Sequence, residues 1–154
     1  MPESKGTIMK ILIIHGPNLN MLGHRDKSQY GNLTLDKLNA LLRKEAGALN
    51  IELSIYQFNS EEKIIRTLQR QRNRCDAVIL NPAAYTHYSY AIRDTIELLP
   101  VPVVEVHLSN IYEREDFRRI SVTKDVCLHQ IYGKKEQSYV EALHFLYDHL
   151  REKS

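Results

Sequence analysis

The sequence predicts a single α/β domain built on a parallel sheet, because short apolar runs of strand length alternate along it with amphipathic helical patterns, and its 154 residues suit one core. Met9 to Ile14 is the first apolar run. Leu35, Leu38, Leu42, Ala46 and Leu49 then recur at helical spacing behind Thr34, whose hydroxyl suits an N-cap. Ile51, Leu53 and Ile55 alternate as a strand does. Ser60, Glu61 and Glu62 open a second helix carrying Ile64, Ile65 and Leu68, with the acids at the end where the helix dipole favours them.

Ala77 to Leu80 forms a third run, and Ser89 begins a helix whose Ile92, Ile96 and Leu99 share a face before Pro100 ends it. Val103 to Leu108 makes a fourth strand, a short polar helix is expected around Tyr112 to Arg119, and a fifth strand near Val126 to Tyr132. Tyr139, Ala142, Leu143, Leu146, Tyr147 and Leu150 draw the stripe of a closing amphipathic helix. Parallel strands need crossovers, so five strands alternating with helices give a flavodoxin-like five-stranded parallel sheet with helices on both faces. Ligands of such sheets lie outside the carboxyl ends of the strands, where strand order reverses.

Composition narrows the function. Hydrophobic residues are 43% and charged ones 26%, ordinary for a globular domain, and a net charge of +2 with acids and bases interspersed gives no footprint for nucleic acid. No stretch nears the roughly 20 apolar residues of a membrane span, and MPESKGTIMK lacks the apolar core of a signal peptide. The expected organisation is a polar tail over 1–8, one catalytic domain over 9–150 and a tail over 151–154, in the cytoplasm. Cys75 and Cys127 stand far apart without metal-binding spacing and read as buried, reduced thiols.

The strand ends hold the chemistry. After the first strand comes HGPNLNMLGHRDKSQYG, a connection long enough for a loop with a function. NPAAYTH follows the third strand, and the fourth carries Glu105 and His107 before Ser109 and Asn110. Glu105 and His107, two apart on a strand, share a side, so the carboxylate either orients the imidazole as a general acid or closes a strand end as an ion pair. Tyr30 follows Arg25 by five residues, and a guanidinium beside a phenol favours phenolate, the form that acts as a base; the plainer reading is a surface tyrosine. Asn18, Asn20 and Asn81 suit a hydroxylated ligand or a fixed water, though asparagines also serve turns. His15, His87 and His107 come from separate strand ends with no HxH or HExxH, which argues against a metal.

Other functions of this fold class leave different marks. A flavin site wants a Thr/Ser/Gly phosphate loop after strand one, a response regulator wants an aspartate where Asn81 ends strand three, and a dinucleotide site wants GxGxxG. None of these is present.

Three separated segments, IHGPNLNMLGHRDKSQYG, NPAAYTHYSYAIRD and VPVVEVHLSNIYEREDFRRIS, together resemble the type II 3-dehydroquinate dehydratases in order and spacing, over Met9 to about Leu150. The resemblance implies a cofactor-free lyase acting on 3-dehydroquinate. It assigns Tyr30 as the base, Arg25 as the residue that favours phenolate, Asn18 as the holder of a water at the enolate oxygen, and His107 as the acid with Glu105 behind it. It further implies Ser109 and the Leu108 amide on the substrate carboxylate, and Asn81, His87 and Arg118 on the ring hydroxyls. Asp94 would reach a neighbouring subunit's site in a trimer-based dodecamer, and Arg114 is a loop-clamping candidate. No metal is implied.

The chain departs from the family pattern at Phe58 and Glu62, where small residues are usual, at Ala83 for glycine, at Tyr88 for threonine, and along CLHQIYGKKEQSY. A Glu62 facing the site would disfavour a phenolate at Tyr30. The rival readings are a carboxylate- or polyol-binding paralogue, which has no need of Tyr30, Arg25 and His107 together, and a lyase for another cyclic hydroxy acid.

Overall fold

A computed structural model describes residues 7–153, with the side chain of Gln29 outside the description. Most of the expected 1–8 tail therefore lies outside the described residues. Five strands, β1 (Met9–His15), β2 (Ile51–Gln57), β3 (Ala77–Asn81), β4 (Val103–His107) and β5 (His129–Tyr132), form one sheet in the order β2-β1-β3-β4-β5, and every pairing is parallel. The helices are α1 (Lys27–Tyr30), α2 (Leu35–Ala48), α3 (Glu61–Gln71), α4 (Tyr90–Leu98) and α5 (Glu136–Glu152).

Alternation along the strands divides the interior into two cores. Ile11, Ile13, Ala77, Ile79, Val104 and Val106 pack with Leu38, Leu42 and Ala46 of α2 and Tyr139, Leu143 and Leu146 of α5. Leu12, Ile14, Val78, Leu80 and Val103 pack with Ile64 and Leu68 of α3 and Ile92 and Ile96 of α4. Thus β1 and β3 read as near-continuous apolar runs and β4 is buried along its whole length although it carries Glu105 and His107, whereas β2 at the edge alternates. Thr34, Ser60 and Ser89 each accept a hydrogen bond from the backbone N–H three residues on, and so fix where α2, α3 and α4 begin.

Four local expectations are corrected. The polar helix expected over 112–119 is two 3-10 turns, Ile111–Glu113 and Asp116–Arg119, because Arg114 is extended between them and no apolar stripe sustains a longer helix. The fifth strand begins at His129, since the chain over Lys124–Val126 is wound into a 3-10 turn that follows two hydroxyls turned inward, Ser121 and Thr123. The last helix continues to Glu152, past the expected end of the domain. Cys75 and Cys127 are free but only partly buried.

The parallel topology carries the ends of β1, β3 and β4 to one edge, and Gly16 sets how closely the first two approach. Its N–H donates to the Asn81 carbonyl at 2.8 Å, and a Cβ there would lie 2.7 Å from that oxygen and 2.8 Å from the Pro82 carbonyl. Only glycine fits. Ala83, two residues beyond β3, has φ 53°, which explains the glycine usual at this position. Ala83→Gly is therefore expected to stabilise the protein by up to about 1 kcal/mol, a rise in Tm of roughly 2–4 °C for a domain of this size, measured by thermal unfolding.

Candidate active site

The cleft lies where strand order reverses, at the carboxyl ends of β1, β3 and β4. Pro17, Asn18, Arg25, Tyr30, Asn81, His87, His107, Leu108, Ser109, Arg114 and Arg118 all contribute to its lining, around about 570 Å³ of free space that is partly open to solvent. Of the residues singled out from sequence for the site, Asn20, His15, Glu105 and Asp94 do not line it. Asn20 is exposed and accepts from Gln57 Nε2 at 3.4 Å, and His15 is buried in the core. Glu105 stands behind His107, and Asp94 is exposed on α4, on a surface of the chain apart from the cleft.

The first wall is the connection after β1. Asn18 adopts a left-handed conformation, φ 69° and ψ 1°, which asparagine tolerates better than most residues. Its N–H donates to Asn59 Oδ1 at 2.9 Å, and Gln57 Nε2 donates to that same oxygen at 3.1 Å and to the Gly16 carbonyl at 3.1 Å. Gln57 and Asn59 at the end of β2 therefore pin the loop that carries Asn18. Phe58 is half-buried, packed against the edge of the core under α3 and α4, with its ring stacked on Tyr56 at 5.7 Å between centroids. Glu62 is exposed and paired with Arg66 one helical turn on, so its charge is directed to solvent and not to Tyr30.

Tyr30 ends the short helix α1, whose first turn is capped by Asp26 accepting from the Ser28 N–H at 2.9 Å. The ring is 93% buried, with a relative exposure of 7%, and the Arg25 guanidinium lies 4.1 Å from its centroid. Two cations meet at its oxygen: Arg25 Nη2 and Arg114 Nη1 each donate at 2.9 Å. Arg114 also reaches Ser109 Oγ at 3.4 Å. Sequence reasoning placed Arg114 in a supporting role, because 84 residues separate it from Tyr30 and nothing local joins them.

The opposite wall is the end of β4. Glu105 Oε2 and His107 Nε2 are 2.6 Å apart, with Glu105 fully buried. Around this carboxylate stand donors that the sequence reading did not identify. Thr86 Oγ1 at 3.0 Å, Ser121 Oγ at 2.9 Å and Gln130 Nε2 at 2.9 Å donate to Oε2, and Thr123 Oγ1 at 2.5 Å donates to Oε1. Burial alone would raise the pKa of Glu105; the His107 bond and charge, with Thr123 and Gln130, outweigh it and hold the carboxyl down near about 2. A signal existed in the hydroxyls at 121 and 123, two apart like Glu105 and His107, but it is too common a pattern to single out.

Since the carboxylate can only accept, the Nε2 proton of His107 is committed to it, and Nδ1 is the ring nitrogen left for the cleft. His87 is arranged differently. Its Nδ1–H donates to the Ile120 carbonyl at 2.7 Å, and burial, with the neighbouring His107 and Arg118, lowers its pKa despite that bond. Neutral His87 therefore offers Nε2 as an acceptor. Arg118 is tethered through Nε to Glu115 at 3.1 Å with its side chain three-quarters covered.

His15, which ends β1, is turned away from the cleft and fully buried, with Nδ1 2.9 Å from the Tyr139 hydroxyl and Nε2 2.8 Å from Asn39 Oδ1. Burial drives its pKa down from 6.5 to about 4, only partly offset by the Asn39 bond. Among the described residues no group of three or more His, Cys, Asp or Glu could hold a metal ion, and no helix is long and apolar enough to cross a membrane.

These features define an α/β protein with a cleft at the topological switch point, a buried phenol under two guanidiniums on one side and a carboxylate-anchored imidazole on the other. The family model for class II dehydroquinase matches residues 9–147, and the chain belongs to that family. It is 50% identical over 134 residues to a 3-dehydroquinate dehydratase of Thermoanaerobacter pseudethanolicus, covering 87% of this chain and 90% of that one. It is 48% identical over 135 residues to a 3-dehydroquinate dehydratase of Caldanaerobacter subterraneus, covering 88% and 91%. Among solved structures, the type II dehydroquinase of Butyrivibrio crossotus superposes with a TM-score of 0.89 at 46% identity, over 92% of this chain and 99% of that one.

The buried histidine gives a pH test of the fold. A folded pKa depressed from 6.5 to about 4 means that the unfolded chain binds one more proton than the folded one between those values, so stability is complete above about 6.5 and is lost as pH falls toward 4. The difference is about 3 kcal/mol on 1.36 kcal/mol per decade. Urea unfolding at stepped pH is expected to show this slope in the wild type and a flatter one in His15→Gln, which cannot titrate.

Proposed function

We propose that the chain dehydrates 3-dehydroquinate to 3-dehydroshikimate through an enolate, with Tyr30 as general base and His107 as general acid. The observation that carries the reading is the double guanidinium contact at the Tyr30 oxygen, in the same cleft as the Glu105–His107 pair. Two cationic donors at a phenol oxygen are what a phenolate base needs, since each charge-assisted bond strengthens as negative charge gathers there. The phenolate takes the proton from the carbon beside the ketone, and the electron pair moves to the ketone oxygen. A water held by Asn18 donates to the resulting enolate, a charge-stabilising contact of the kind that often dominates catalysis. The enolate then collapses and expels the hydroxyl at the next carbon, which takes the Nδ1 proton of His107 and leaves as water. Each turnover returns one proton from Tyr30 to His107 by way of solvent.

The remaining lining supplies binding. Ser109 and the Leu108 amide receive the substrate carboxylate beside the Arg114 guanidinium. Asn81, His87 and Arg118 take the ring hydroxyls, with neutral His87 accepting through Nε2. No redox change occurs, so the reaction calls for no cofactor. Asp94, exposed on α4, serves the site of a neighbouring subunit in a trimer-based dodecamer, and the enzyme works in the cytoplasm.

The test is the growth of conjugated-enone absorbance when purified protein meets 3-dehydroquinate. Tyr30→Phe keeps the ring and loses the base, so kcat is expected to fall at least about a thousandfold, within the range of removing an acid–base group, with KM little changed. Unchanged turnover in that variant excludes Tyr30 as the base. Arg118→Ala is expected to raise KM about tenfold or more, on the loss of a charged hydrogen bond, and an unaltered KM removes Arg118 from substrate binding.

A further inference from the structure

Behind the substrate face of the cleft, four side chains from four elements form a buried polar chain: Asn39 of α2, His15 of β1, Tyr139 of α5 and Asn81 of β3. Their contacts are Asn39 Oδ1 to His15 Nε2 at 2.8 Å, His15 Nδ1 to the Tyr139 hydroxyl at 2.9 Å, and Asn81 Nδ2 to that hydroxyl at 3.0 Å. Asn81 Oδ1 accepts the Ala83 N–H at 3.0 Å. His15 and Tyr139 are fully buried, in an interior otherwise lined by Leu, Ile and Val. A hydroxyl and an imidazole cost several kcal/mol to bury unpaired, and a tyrosine to phenylalanine exchange would spare much of that cost if packing were the sole task.

Counting donors leaves one consistent direction. The Asn81 amide nitrogen has no lone pair to offer, so it donates to Tyr139 and the hydroxyl oxygen accepts. The hydroxyl proton then goes to His15 Nδ1, which must be the bare nitrogen of a neutral ring, and His15 Nε2–H donates to Asn39 Oδ1. Burial of His15 keeps the ring neutral at neutral pH, and burial likewise holds the Tyr139 hydroxyl in its protonated form. The hydroxyl proton of Tyr139 and the ring proton of His15 are thus both committed. Asn81 is thereby gripped at both ends, Oδ1 by Ala83 and one amide hydrogen by Tyr139, and its second amide hydrogen is the group left for the cleft that Asn81 lines.

We infer that Tyr139 and His15 are positioning residues that fix the Asn81 amide as a hydrogen-bond donor toward a substrate hydroxyl, and so set the affinity and selectivity of this wall of the cleft. The inference rests on the dehydratase reading for the identity of the substrate but not for the relay itself. A donor fixed in this way selects a ligand presenting an oxygen acceptor at that point and discriminates against an analogue lacking that oxygen, which would leave the amide hydrogen buried and unpaired.

Tyr139→Phe is expected to raise KM for 3-dehydroquinate about tenfold with kcat within about threefold, the signature of lost binding shared by ground and transition states. In an Asn81→Ala background the same exchange is expected to change KM less than about twofold, because the group it positions is gone. An unchanged KM in the single variant, or an equal rise in both backgrounds, overturns the inference. Should Tyr139→Phe not fold, His15 supplies the second comparison. His15→Gln retains an acceptor for the hydroxyl and a donor for Asn39 and is expected to keep KM, whereas His15→Leu is expected to raise it as Tyr139→Phe does; equal KM in the two overturns the inference. Nitrogen-15 NMR of labelled histidine reads the relay without turnover, with His15 expected neutral and protonated on Nε2 at pH 7. Protonation on Nδ1 overturns the relay, whereas an inactive wild type with the expected tautomer overturns the dehydratase reading alone.

Discussion

The Glu105 carboxylate is the constraint around which the catalytic end of this protein is organised. It is a fully buried anion, and such a charge persists only if the surroundings supply enough donors to replace water. Those donors come from four places: Thr86 in the 3-10 turn after β3, Ser121 and Thr123 in the segment before β5, Gln130 on β5, and His107 on β4 itself. Meeting the needs of one carboxylate therefore fixes the wall that carries His87, the path of the chain between β4 and β5, and the ring plane and tautomer of His107. The expectation of a fifth strand starting at 126 fails for the same reason, because the chain before β5 is shaped by delivering two hydroxyls to this anion.

The two walls of the cleft are built on different principles. On the β4 side a buried anion orients an imidazole and leaves one of its nitrogens facing inward. On the β1 side two cations from distant parts of the chain converge on one phenol oxygen, held by the short capped helix α1 and by the turn after β4. Neither Arg25 nor Arg114 is left to solvent alone: Arg25 lies over the Tyr30 ring, and Arg114 links that tyrosine to Ser109. Behind both walls the neutral chain through His15 and Tyr139 provides rigidity without charge, and Gly16 allows the ends of β1 and β3 to close to backbone contact.

Much of this was legible in the sequence. The apolar runs of β1, β3 and β4, the alternation of β2 and the caps at Thr34, Ser60 and Ser89 follow from local rules, and the parallel topology then sends the segments after β1, β3 and β4 to one edge. Glu105 and His107 were visible because two residues on a strand share a side. What was not legible depends on contacts between distant segments. Arg114 on Tyr30 and Ser121, Thr123 and Gln130 on Glu105 have no local signature, and nothing local shows that the pleat turns His15 toward α2 and α5 to meet Asn39 and Tyr139. The departure at Glu62 proved outward-facing, a matter of helix rotation that one substituted position does not reveal.

The most direct test of the acid and base assignment separates the two proton transfers. His107→Ala and Tyr30→Phe would each be incubated with 3-dehydroquinate in deuterium oxide, and deuterium incorporation at the carbon beside the ketone followed by NMR alongside enone formation. His107→Ala is expected to exchange that hydrogen while forming almost no enone, because the enolate still forms but its hydroxyl cannot depart, and Tyr30→Phe is expected to do neither. Exchange retained in Tyr30→Phe and abolished in His107→Ala would contradict this assignment, reversing the roles of the two walls.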